Sequence, residues 1–521
     1  MIKKILLTLF IISFLSVLSY GELVSVEIGG KLEIYGLYYH GFIEPSDRDR
    51  IPSWALSGRT IGPDGTYSAY RTGSDSTGSS YVEQRTRLHT RAMMTDNVSA
   101  FIELDSIDSW GEDFRSQDYL TGRDNRGNTI DDIELFQAYI QCKDIGTEGL
   151  TLTIGRQAID LGSGWLVGSD PGPNPFTGLS FDAIRLQYEQ ESYILDVFYA
   201  KLLESMNSFN HNDVDFAGMY FTWKEIIEGS SIDLYYFLLR DNRKNEVTYG
   251  DIFLETFERI LDRDNPSTTY INTIGVRFFG EYNSFDYEVE FAYQWGESSA
   301  FGNLYVPVDG IYGDSGADWA LPAGHFEVGY TIDEKKWTPR VYIGGCYYGA
   351  EDNRSFSFVD WLTGIGVGEA SPSFNRLFTA TREDNFIDLS GMTNFWQLYS
   401  GISVAPIEKV EVGFEVAYLQ TVSAFDRPYS FTIGNAEFYP LSPFSFLTRT
   451  NSKDIGWQTL LSLTYQYSEN LSFETGWSHF FIGDGLVKGT FLDNYATSFV
   501  STVNDDDADF FYLSTTIEFN T

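Results

Sequence analysis

Residues 281–296 read Glu281-Tyr282-Asn283-Ser284-Phe285-Asp286-Tyr287-Glu288-Val289-Glu290-Phe291-Ala292-Tyr293-Gln294-Trp295-Gly296. A short polar link, Glu281-Tyr282-Asn283, opens the stretch. After it Tyr287, Val289, Phe291, Tyr293 and Trp295 alternate with Asp286, Glu288, Glu290 and Gln294. Successive side chains of a β-strand point to opposite faces, so this period of two predicts a strand with one apolar and one polar face. The pattern recurs in 410–418, where Val410, Val412, Phe414, Val416 and Tyr418 oppose Glu411, Gly413 and Glu415. It recurs again at the end, where Phe511, Leu513, Thr515, Ile517 and Phe519 oppose Tyr512, Ser514, Thr516 and Glu518.

Working outward, such segments pair off around equally short polar links. These are Thr95-Asp96-Asn97, 143–149, Glu189-Gln190-Glu191, 224–229, 281–283, 333–336, 406–409 and Ser468-Glu469-Asn470. Between the pairs lie much longer links: 40–83, 107–132, 158–182, 201–215, 241–271, 296–323, 345–394, 419–455 and 480–509. Short and long links alternate strictly. Bacterial transmembrane barrels have tight periplasmic turns and long extracellular loops, so the rhythm predicts an all-β antiparallel barrel of about 18 strands. A soluble sandwich shares the alternation but not the rhythm. The expected organisation is a leader, 1–21, followed by a single barrel, 22–521. The most Gly- and Pro-rich long link, 158–182, is the one expected to fold inward.

The leader reading rests on Lys3 and Lys4, the apolar run Ile5 to Leu18, and Ser19-Tyr20-Gly21, with cleavage expected after Gly21. No later apolar run approaches the roughly 20 residues of a membrane helix. The chain is 17% aromatic, which suits strands and membrane interfaces. With 35 basic and 74 acidic residues, a net charge of −39, it is a poor partner for nucleic acid. Cys142 and Cys346 fall at opposite ends of the predicted barrel, so no disulfide is expected.

Three segments carry a family resemblance. They are Gly155-Arg156-Gln157 with Phe181-Asp182-Ala183-Ile184-Arg185-Leu186, Phe374-Asn375-Arg376-Leu377-Phe378 with Asp388, Gly391 and Asn394, and Gly476-Trp477-Ser478-His479-Phe480-Phe481-Ile482-Gly483-Asp484. In these the chain resembles the alginate export family of outer-membrane porins. The resemblance implies an 18-stranded barrel and a passive channel for an anionic polysaccharide or sugar-acid oligomer, with basic side chains in the lumen. It marks Arg156, Asp182, Arg376, His479 and Asp484 as motif positions.

Parity then assigns faces. Arg85, Arg87, His89 and Arg91 share a face opposite Val82, Leu88 and Ala92, and Arg185 and Arg277 lie with small or polar neighbours. All are assigned to the lumen, because an arginine facing lipid at mid-depth costs about 2–4 kcal/mol. Together, Arg85, Arg87, Arg91, Arg185 and Arg277 form a candidate ladder for carboxylated sugars. The same face also carries Asp196, Asp233, Asp286, Glu288, Glu290, Glu327, Glu411, Glu415, Glu474 and Glu518, which favour a general or cation-selective porin instead. Parity sends Arg156 outward.

No enzyme is expected. Ser478 and His479 are neighbours on a strand and face opposite ways, and no Gly-x-Ser-x-Gly elbow is present. No cofactor is expected beyond divalent cations at acidic outer loops such as 211–215 and 505–509, which read better as solvated charge. The expected partners are outer-membrane lipid and lipopolysaccharide, the barrel-assembly machinery and, for an export channel, periplasmic polysaccharide-export proteins. A structural or adhesion barrel with binding loops is the alternative of another class.

Overall fold

The computed structural model describes residues 23–43, 78–110, 133–169, 179–204, 213–242, 268–297, 318–332, 336–349, 374–383, 393–422, 452–484 and 507–520, with short strand pieces of the long loops. The leader segment 1–21 lies outside the described residues.

Eighteen strands form one antiparallel sheet. They are β1 (Ser25–His40), β2 (Gly78–Thr95), β3 (Val98–Ser109), β4 (Glu134–Cys142), β5 (Leu150–Gln157) and β6 (Phe181–Glu189). There follow β7 (Tyr193–Leu203), β8 (Val214–Ile227), β9 (Ser230–Asp241), β10 (Thr269–Tyr282), β11 (Phe285–Glu297) and β12 (Asp318–Thr331). The last six are β13 (Arg340–Tyr348), β14 (Phe395–Ile407), β15 (Val410–Thr421), β16 (Asp454–Ser468), β17 (Leu471–Ile482) and β18 (Ala508–Asn520). Each strand pairs with the next in sequence. The sheet closes where β1 meets β18, in register from Gly29 opposite Asn520 to His40 opposite Asp509. Closure leaves no edge, so every strand has a hydrogen-bonding partner on both sides, as lipid requires.

The turn rhythm is borne out. At 283–284 the chain reverses between the pair Tyr282 and Phe285. Asn283 takes a φ of 55° there, a left-handed conformation that asparagine tolerates in tight turns.

The barrel is inverted relative to a soluble protein. Phe291 is 50% exposed on the outer wall while its neighbour Glu290 is 5% exposed on the inner one. Ile154, Ile184, Met219, Leu234, Phe414 and Leu513 continue the outer apolar surface. Inside, an apolar ring lines the long-loop end, including Tyr39, Phe181, Phe216, Ile271, Phe395, Phe480 and Phe510. Segments of two long loops seat on that ring. Cys142 ends a strand beside a short turn and Cys346 lies toward the long-loop end, and the two do not form a disulfide.

Candidate functional site

The inner wall is organised in rows set by strand register. Asp233, Arg277, Glu290 and His325 stand side by side on β9, β10, β11 and β12. Arg277 reaches Asp233 at 2.9 Å and Glu288 at 2.8 Å, with Glu290 at 3.8 Å. His325 Nε2 lies 3.3 Å from Glu290 and 3.6 Å from Glu288. One ligand atom each of Glu288, Glu290 and His325 falls within 4.8 Å of the others. The guanidinium of Arg277 already supplies the positive charge a cation would bring there.

Three of the other four predicted arginines are paired in the same manner. Arg85 binds Asp105 at 2.8 Å and is 1% exposed, so it is withdrawn from the open lumen. Arg87 lies 3.2 Å from Asp105 and 3.9 Å from Glu103, with its guanidinium 4.2 Å from the Phe136 ring centre. Arg91 sits over Phe101, and Arg185 forks onto Asp196. Arg85, Arg87, Arg185 and Arg277 are thus ion-paired, while Arg91 meets a ring and no carboxylate among the described residues. Arg340, paired with Asp286 and with Glu327 at 2.6 Å, belongs to the set and was missed by the sequence reading. Its signal was the alternation of Arg340 and Tyr342 against Val341 and Ile343. Among the described residues Glu411 has no cationic partner on this face, and Glu415 and Glu474 accept from tyrosines, Tyr342 and Tyr512.

Those tyrosines lie on glycines. Tyr235, Tyr342, Tyr399 and Tyr512 stand opposite Gly275, Gly401, Gly344 and Gly476. A Cβ at any of these glycines would overlap the facing ring. The missing side chain lets the ring lie flat along the wall. Its hydroxyl then donates to a carboxylate: Tyr235 to Glu290 at 2.7 Å, Tyr399 to Glu327 at 2.9 Å and Tyr342 to Glu415 at 2.9 Å.

A two-part plug sits in the long-loop end, against the wall from β6 to β13. The described part of the predicted inward link, 158–169, enters the barrel and buries Ile159, Trp165, Leu166 and Val167. Gly162, with a φ of 61°, rests against the Tyr220 hydroxyl and the Arg277 side chain, a place where a Cβ would collide. A second segment, 374–383, joins it. Val167 and Phe378 form a parallel bridge, and the N–H of Phe378 donates to Leu166 while that of Gly168 donates to Phe378, both at 2.9 Å. Trp165 Nε1 donates to the Tyr348 hydroxyl at 2.6 Å, and its ring packs on His325 and Phe374. Gln294 on β11 clamps Asn375 through both its amide atoms at 2.7 and 2.8 Å. Leu377 is held left-handed with a φ of 51°, its N–H donating to Asn375 Oδ1 at 2.7 Å.

The motif residues therefore separate. Arg376 is in the plug, fully buried, its guanidinium 4.6 Å from the Tyr348 ring centre and 3.8 Å from Glu383. Arg156 and Asp182 form a forked pair at 2.9 and 3.1 Å on the outer wall. They share that face with Ile154 and Ile184, so Arg156 points outward, as parity predicts, and contributes nothing to the lumen. His479 also faces outward, with Nδ1 2.9 Å from Asp509, while Ser478 is buried on the inner face; the two are not a catalytic pair. Asp484 is exposed just beyond β17. His211, Asn212, Asp505 and Asp506 lie outside the described residues.

A closed, inwardly charged and outwardly apolar barrel of this size is of the outer-membrane porin class. Residues 67–493 match the alginate export family, and the chain belongs to it. Its fold is similar to that of OccAB1 of Acinetobacter baumannii, with a TM-score of 0.51 at 9% identity over 96% of this chain and 99% of that one. OpdK of Pseudomonas aeruginosa, solved with vanillate, matches with a TM-score of 0.49 at 8% identity over 96% and 100%. OccK11 (OpdR) of the same organism matches at 0.47 and 8% over 95% and 96%. No curated protein matches the chain by sequence. Fold and family are of the channel type.

Proposed function

We propose that this barrel is a passive outer-membrane channel for sugar-type polar solutes whose inner wall favours cations over anions. One observation carries the reading: among the described residues Arg85, Arg87, Arg185, Arg277 and Arg340 are already matched to carboxylates and of the ladder only Arg91 is not, while Glu411, Glu415 and Glu474 have no cationic partner. A paired guanidinium attracts anions weakly, and the surplus acids leave the wall negative. Of the flat tyrosines on glycine, Tyr342 and Tyr399 stay half-buried and offer faces on which a sugar ring can slide, while Tyr235 and Tyr512 are buried.

Family membership favours a second reading, in which the solute is an anionic polysaccharide or sugar-acid oligomer. It would cross with its counter-ions, exchanging carboxylates with Asp or Glu at each arginine fork. Pore-lining roles then fall to Arg87, Arg91, Arg185 and Arg277, with Arg85 behind them. Periplasmic polysaccharide-export proteins would be partners under this reading alone.

Planar-bilayer recording separates the two. The expected result is a reversal potential in a salt gradient of the cation-preferring sign, with little block by oligouronate. Anion preference with concentration-dependent oligouronate block would replace the first reading by the second.

A further inference from the structure

The outer wall carries a row of charges that no lumen function uses. Arg156, Asp182, Lys201, Asp215 and Arg240 occupy neighbouring register positions on β5, β6, β7, β8 and β9. Their signs alternate. All face outward, since the same strand faces carry Ile154, Ile184, Tyr199, Met219 and Leu234, exposed apolar groups. Each charged residue stands one or two positions from the long-loop end of its strand, so the row caps the apolar belt.

We propose that this row binds the phosphorylated headgroup of an outer-leaflet lipid. The occupant follows from position and charge. A row directly above lipid-facing side chains meets headgroups, and the outer leaflet presents phosphates bridged by divalent cations. Neighbouring strands are about 4.8 Å apart, so cations recur roughly every 10 Å with an acid between them. Phosphate oxygens then meet Arg and Lys, and bridging divalent cations meet the intervening carboxylates. The two arginines at the ends of the row keep donors for this: the side chain of each is 44% exposed. Among the described residues Arg240 has one ion pair, at 3.6 Å to Asp215. That acid is held more closely by Lys201, at 2.7 Å, and by the Tyr199 hydroxyl, also at 2.7 Å. Lys201 also has Glu204 at 3.1 Å and Asp213 at 3.6 Å, which enlarges the acidic half of the site.

The row is confined to one sector. On β10, β11 and β13 to β16 outward positions toward the long-loop end are aromatic, among them Tyr270, Trp295, Tyr347 and Tyr418, while β12 presents Ala320 and Pro322. Trp396, Tyr418 and Trp457 pack in sequence there, with ring centres 5.6 and 4.8 Å apart. Aromatics serve any bilayer interface. The charged sector selects a headgroup. The proposal rests on the outer-membrane class of the barrel and not on what the lumen passes.

The test is native mass spectrometry of the full barrel in detergent, titrated with a diphosphorylated disaccharide lipid and with the same lipid dephosphorylated, in magnesium. The wild type is expected to retain the phosphorylated lipid preferentially. Arg240→Gln with Lys201→Gln is expected to weaken retention about tenfold or more, while Lys409→Gln, at the opposite rim, leaves it unchanged. Heat-modifiable gel migration and unaltered conductance confirm that each variant is folded. Equal retention by wild type and double variant overturns the proposal, as does equal retention of the two lipids. Displacement of the lipid by millimolar inorganic phosphate would make the row a free-phosphate site. A concentration-dependent dimer abolished by the double variant would assign the row to a second copy of the chain. Either result also overturns it.

Discussion

Trp165 on the first plug segment donates its indole N–H to the hydroxyl of Tyr348 on β13, at 2.6 Å, and so fastens an inward loop to the barrel wall. The bond joins residues 183 positions apart, and the ring beneath it packs on His325 and Phe374. Trp165→Ala removes the fastening and leaves the segment around Gly162 to be held by its backbone contacts and the buried Ile159, Leu166 and Val167. Truncating a buried tryptophan typically costs about 3–5 kcal/mol. Single-channel conductance is expected to rise, with added open-state noise; an unchanged conductance would show that the segment does not limit the pore.

Arg277 stands among three carboxylates with its side chain 10% exposed. Arg277→Met leaves Asp233, Glu288 and Glu290 close together without a counter-charge. Breaking a buried pair from one side costs about 3–5 kcal/mol. The barrel is expected to unfold at lower urea, and the surviving channels to prefer cations more strongly. A double variant that also carries Asp233→Asn should recover part of the stability, because the uncompensated charge is smaller.

Arg85 and Arg91 share a strand face but differ in access. Arg91→Glu is expected to move the reversal potential toward cations, since this side chain reaches the lumen. Arg85→Gln is expected to lower stability and leave selectivity alone, since its guanidinium is enclosed with Asp105. Equal shifts in selectivity from both would mean that Arg85 is reached by ions.

Gly275→Ala places a methyl group where the Tyr235 ring lies. Overpacking of this kind costs about 1–3 kcal/mol. The ring is expected to swing into the lumen and release Glu290, giving a less stable barrel with lower conductance. Tyr235→Leu in the same chain should relieve much of the damage, a non-additivity that a double-mutant cycle measures.

The strands, their number and the side on which the long loops lie were legible in the sequence, because alternation and turn length are local. In 285–296 each side chain announces its face by its parity. Parity also sent Arg156 outward, and the structure leaves it there with Asp182. Partnership across strands was not legible. That Arg277 meets Asp233 and Glu290 depends on a register set by pairings 44 and 13 residues away. The inward link 158–169 could be anticipated from its glycines. Its companion 374–383 was visible only as a motif, since neither Arg376 nor Asn375 shows in its neighbours that Gln294 lies opposite. The outward row from Arg156 to Arg240 was hidden for the same reason: each charge looks solvated until five strands are laid side by side.

The tyrosines that lie on glycines also act as register keys. A slip of one residue between β9 and β10 would set Tyr235 against a side chain, and the same holds at Tyr342, Tyr399 and Tyr512. In a closed barrel the stagger between strands and their number together fix the tilt and the radius. Four flat rings, distributed over β9 to β18, therefore gauge the bore of the channel: they hold its diameter by forbidding every neighbouring stagger, with no side chain spent on bridging the lumen itself.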